Sequence, residues 1–84
     1  MRSFSIAINE KYFNFLWRAV HSRENEFLAI LSRVPEESDE AALTTNDLIY
    51  LRLCKKELEE KAKLAVFSDA VFSVEDGFID ISTL

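Results

Sequence analysis

One histidine and one cysteine are the side chains with the clearest claim to chemistry at neutral pH, and each stands alone in the chain. His21 is followed by Glu24 and Asn25, positions i+3 and i+4, which on a helix bring the three side chains within reach of one another. Such a group could serve as a general acid–base pair or as half a metal site, and a two-fold dimer would double it to four ligands. The sequence holds no second ligand cluster, and the same spacing is common on solvated helix surfaces. We therefore expect no metal, no cofactor and no catalytic residue, and read the chain as non-enzymatic. Cys54 falls in an apolar stripe, where a thiol behaves as a small hydrophobe. Its neighbour Lys55 points about 100° away around a helix, so Cys54 reads as a core or interface residue. The single glycine, Gly77, excludes glycine-rich phosphate loops and dinucleotide fingerprints.

Charge narrows the partners. The net charge is −5, and the excess acid lies in 34–43 (Glu36, Glu37, Asp39, Glu40) and in 68–84, while 1–33 and 44–67 are slightly basic. Arg18, Arg23 and Arg33 are spread along one segment, and Lys55, Lys56, Lys61 and Lys63 are interleaved with Glu57, Glu59 and Glu60. A phosphate-backbone binder needs a one-sided surplus of Lys and Arg, so nucleic acid is not expected as a partner. The first residues lack a long apolar stretch followed by a small-residue cleavage site, and no apolar run has the length of a bilayer span. These features give the expectation of a cytoplasmic protein that does not enter a membrane.

The elements that position these residues are read from periodicity. Asn9 caps a helix over about 10–33, with Phe13, Leu16, Val20, Phe27 and Leu31 as its stripe and Tyr12, Trp17, Leu28 and Ile30 at the sides. The polar run 21–26 offers a kink, or a break at which Ser22 caps a shorter helix, and Val34-Pro35 ends the segment. A second helix is placed over about 44–67. Ser38 before Asp39 and Glu40 is one possible start, and Thr44 with Asp47 three residues on is another. Glu57–Lys61 and Glu59–Lys63 are (i, i+4) pairs in the favourable order. Leu48, Leu51, Cys54, Leu58, Ala62, Ala65 and Val66 share one broad face, and Ile49, Leu53, Leu64 and Phe67 share a second. Ser3 to Ile8 alternates, as a half-buried strand does. Asp76-Gly77 between alternating segments predicts a hairpin over about 71–75 and 78–82.

The expected fold is a single small domain, 1–84, of class α+β and mostly helical: two long antiparallel helices, a short N-terminal strand and a C-terminal β-hairpin. The alternative is an all-α helical hairpin that forms a dimeric four-helix bundle with loose ends. A chain of 84 residues with one cysteine has neither disulfide nor structural zinc to support a small core, which leaves association between chains. Two helices in a hairpin cover one stripe each, so a helix apolar on two sides keeps a naked face. This gives the functional expectation: a protein-protein interaction or regulatory module, homodimeric, that binds another protein through Phe13, Phe15, Trp17, Ile49, Leu53, Leu64 and Phe67. In brevity and acidity the chain resembles small bacterial or phage accessory proteins. That likeness implies a second expectation, an acidic inhibitor, immunity protein or antitoxin that neutralises a basic or nucleic-acid-binding partner.

Overall fold

The structure, a computed structural model, describes residues 2–74. Its first element, α1, spans Glu10–Arg33. Asn9 starts it as expected, its Oδ1 accepting a hydrogen bond from the Tyr12 amide at 2.9 Å, with Glu10 in the first turn and Arg33 in the last to complement the helix dipole. The helix runs through 21–26 without a break. Val34 is extended, as a residue before proline must be.

The second helix, α2, spans Asp39–Leu64, more than a turn earlier than the expected start at Thr44. One hydroxyl decides this. Ser38 Oγ donates to the Pro35 carbonyl at 2.7 Å and accepts from the Ala41 amide at 3.1 Å, closing the turn and capping the helix together. Thr44 is not a cap but a buried residue of α2.

At its far end α2 closes in a Schellman motif: the Phe67 amide donates to the Ala62 carbonyl at 3.0 Å and the Val66 amide to the Lys63 carbonyl at 3.1 Å. The left-handed position of this motif is held by Val66 at φ 59°, a conformation that glycine adopts freely and a β-branched residue resists. Val66 is also 86 % exposed, so its side chain returns little for that strain. Val66→Gly should raise stability by about 1 kcal/mol, the relief of left-handed strain exceeding the added freedom of the unfolded chain. Chemical denaturation with an unchanged slope would register it as a higher midpoint.

Beyond the motif the chain turns back on α1 through a short 3₁₀ turn, Asp69–Phe72. Phe13, Trp17, Ala62 and Val71 form the buried cluster, with Ile8, Leu58, Phe67 and Phe72 packed against it. Phe13 is its hub. Its ring meets Trp17 at 6.0 Å, Phe67 at 5.7 Å and Phe72 at 5.7 Å between centroids, edge-on to both phenylalanines.

The fold is thus a helical hairpin, the all-α alternative in its architecture, and two parts of the α+β expectation are corrected. Residues 3–8 form no strand, and there is no strand among the described residues. An extended segment needs a neighbour to satisfy its backbone groups, and no strand among the described residues supplies one; Ile8 packs on the core while Phe4 and Ile6 stay exposed. The first arm of the expected hairpin, about 71–75, is not a strand over 71–74. The carbonyls of Val71 and Ser73 are taken by the side chain of Asn14, and Val71 and Phe72 lie in the 3₁₀ turn that Ser68 caps through the Ala70 amide. The remainder of that hairpin, from Glu75 onward, lies outside the described residues.

Candidate interaction surface

The helices are held in register by a charged group set into their apolar seam. On α1 the inward stripe runs Phe13, Trp17, Val20, Glu24, Phe27, Leu31, and on α2 it runs Ala41, Thr44, Leu48, Leu51, Lys55, Leu58, Ala62. Each stripe carries one charge, and the two meet. Lys55 Nζ lies 3.0 Å from Glu24 Oε1, and Arg52 Nε lies 2.9 Å from Glu24 Oε2. The Lys55 ammonium also sits 5.3 Å from the centre of the Trp17 ring, a cation–π contact at the edge of the core. The Glu24 side chain is 13 % and Lys55 25 % exposed, so their bond is partly shielded, whereas Arg52, 55 % exposed, makes its bond in contact with solvent.

The hydrogen bonds from Arg52 and then Lys55 hold the Glu24 carboxyl below its ordinary value of 4.5, against a smaller opposing push from desolvation. The stabilisation that follows is present above the unfolded-state value and is lost as pH falls through the lower folded-state value. Glu24→Gln should cost about 1–2 kcal/mol at pH 7. The difference from the parent should vanish in acid, where the parent carboxyl is protonated and isosteric with the amide. Paired urea melts across that pH range measure it.

This arrangement also places the residues whose chemistry the sequence raised. Glu24 turns toward α2 and is engaged there, so it does not join His21. His21 instead lines a shallow depression with Phe15, Arg18, Ala19, Ser22, Asn25 and Val74. Among the described residues no three of His, Cys, Asp and Glu gather closely enough to hold a metal ion. Cys54, expected in a core or interface stripe, is exposed to solvent in this chain. Lys55 takes the inward position, and Cys54 is turned away to border a groove with Phe4, Ile6, Leu16 and Leu58. Of the two ion pairs expected along α2, Glu59–Lys63 closes at 2.9 Å. Glu57 and Lys61 both line the groove beside Cys54.

Among the described residues, two apolar surfaces remain after the seam is closed. The first gathers Phe4, Ile6, Ile8, Tyr12, Phe15 and Leu16 around the start of α1, with Phe4 87 % and Ile6 71 % exposed. The second is the outward side of α2, where Leu43, Ile49, Tyr50, Leu53 and Leu64 are all more than half exposed. Of the seven residues the sequence singled out for an interface, Phe15, Ile49, Leu53 and Leu64 lie on these surfaces. Phe13 and Trp17 are enclosed in the chain's own core, and Phe67 packs against it. Leu43, Tyr50, Phe4 and Ile6 were not singled out, although Leu43 and Tyr50 could have been found by extending the second face of α2 at helical spacing.

No family model, curated protein or solved structure matches the chain. No helix among the described residues is long and apolar enough to cross a membrane.

Proposed function

We propose that the chain is a non-enzymatic protein-protein interaction module that self-associates and holds another protein through apolar helix surface. One observation carries this reading: α2 is apolar on the side that packs on α1 and again on the opposite side, where Leu43 is 68 %, Tyr50 65 % and Leu53 58 % exposed. Scattered exposed leucines are ordinary on a small protein. A row along one helix face, on a chain whose single cysteine allows no internal disulfide, is surface suited to burial against another chain. The other apolar surface, around Phe4 and Phe15, is left for a different protein. A single exposed thiol suits a reducing compartment and an action in the cytoplasm.

The acids of the loop give less support to an electrostatic inhibitor. Asp39 and Glu40 occupy the first turn of α2, where they complement the helix dipole, a local role that accounts for them. Sedimentation equilibrium of the whole chain, alone and with Leu53→Glu, tests the reading. A mass that rises with concentration in the parent and stays monomeric in the variant, with helix content equal, is the expected result.

A further inference from the structure

The outward face of α2 has a period of its own. Leu43, Asn46, Tyr50, Leu53, Glu57, Glu60 and Leu64 follow alternating steps of three and four residues, the a/d repeat of a coiled-coil seam. All seven are exposed, and they lie on the side opposite Ala41, Thr44, Leu48 and Ala62, which are buried toward α1. Resting on the reading above, we infer that this seam takes the α2 helix of a second copy of the chain, laid antiparallel about a two-fold axis near Leu51 and Arg52.

Charge decides both the occupant and its direction. In a parallel pair Glu57 and Glu60 would each face their own copies inside the seam, and Lys56 would lie beside Lys61 of the second copy. Each is a repulsion between like charges in a contact that excludes water. The antiparallel pair removes all of these. Tyr50 then packs against Leu53 of the second copy, and Leu53 against its Tyr50, forming a central apolar layer twice over. Glu57 faces Asn46 of the second copy, an amide able to donate to the carboxylate, and Glu60 faces its Leu43, so the acids are separated and sit toward the ends of the contact. On the flank, Glu40 comes beside Lys61 of the second copy, and by symmetry this pair occurs twice. The acidic first turn of α2 and the basic last turns that carry Lys61 and Lys63 are complementary in this direction only. A self-complementary surface of this kind is what a two-fold interface requires.

The same packing places Asp47 beside Cys54 of the second copy. Within one helix those positions are two turns apart, roughly 10 Å along the axis, too far for a disulfide. Asp47→Cys should therefore yield a covalent dimer under mild oxidation, with most of the chain cross-linked and peptide mapping showing a 47–54 bridge. The parent, with Cys54 alone, should remain largely uncross-linked. Glu40→Lys and Lys61→Glu should each weaken the dimer by roughly threefold to tenfold, and the double variant should regain most of that loss. A parent dimer in which Asp47→Cys cross-links no better than the parent would overturn the antiparallel seam while leaving self-association standing. A parent that is monomeric at every concentration would overturn both.

Discussion

Phe13→Ala should remove a large part of the protein's folding stability. Phe13 is 2 % exposed and its ring touches Trp17, Phe67 and Phe72, so its removal opens a cavity between α1, the end of α2 and the 3₁₀ turn at once. Truncating a buried phenylalanine costs about 3–5 kcal/mol. A domain of this length has a total stability of roughly 4–12 kcal/mol, so the loss is a large part of the whole. Because the buried cluster is small, neighbouring side chains cannot collapse into the space without giving up their own contacts. Circular dichroism should show a loss of helix, and any remaining transition should fall by about 15 °C or more. Phe15→Ala, two residues away on the exposed side, should leave stability within about 0.5 kcal/mol. That contrast separates core from surface within one turn.

Asn14→Asp should come next in effect, through a different mechanism. Asn14 is 1 % exposed and its Nδ2 donates to the carbonyls of Val71 and Ser73 at 2.8 and 2.9 Å. Its amide thus ties the segment after α2 down onto α1. An aspartate there has no donor in its charged form and would hold a buried carboxylate against two carbonyl oxygens. The cost should be about 3 kcal/mol or more at pH 7, from two orphaned acceptors and an unpaired charge. Burial would raise the pKa of the new carboxyl in the folded state, so stability lost at neutral pH should be partly regained in acid, where the protonated group donates once. Trp17, the only tryptophan, lies 4.9 Å from the Phe72 ring, and its fluorescence should shift to the red as the segment detaches. Asn14→Leu, with no charge, should cost less, and its difference from the parent should show no dependence on pH.

How much of this was legible in the sequence follows from which force sets each feature. The start of α1 at Asn9 and its end before Pro35 rest on local backbone chemistry, and periodicity and capping were enough. The start of α2 was local too, but two caps competed. Ser38 prevailed because its hydroxyl also closes the Pro35 turn, whereas Thr44 is drawn inward against α1. The apolar stripes were read nearly in place, and Leu16 on α1 and Cys54 on α2 fall off the seam for one reason. A reading that seeks only apolar residues passes over Glu24 and Lys55 and selects Leu16 and Cys54, yet each charge is acceptable inside because the other is there. Such a pair is invisible until the two helices are aligned. Asn14 was missed likewise, since a lone asparagine in a helix gives no sign that two carbonyls from the far end of the chain will seek its amide. The alternation in 3–8 is real as a pattern, but no strand among the described residues pairs with it.

The interface residues divide along the same line. Aromatic character selected Phe13, Phe15 and Trp17 together, and only the three-dimensional packing separates the two that fill the core from the one that faces out. The outward face of α2, with its own a/d repeat, is the feature on which the functional account rests.

Sedimentation equilibrium over a wide range of protein concentration, comparing the parent chain with Leu53→Glu, tests that account most directly. It predicts a reversible dimer for the parent and a monomer of unchanged helix content for the variant. A parent that stays monomeric throughout, or a variant that dimerises as strongly as the parent, would contradict it.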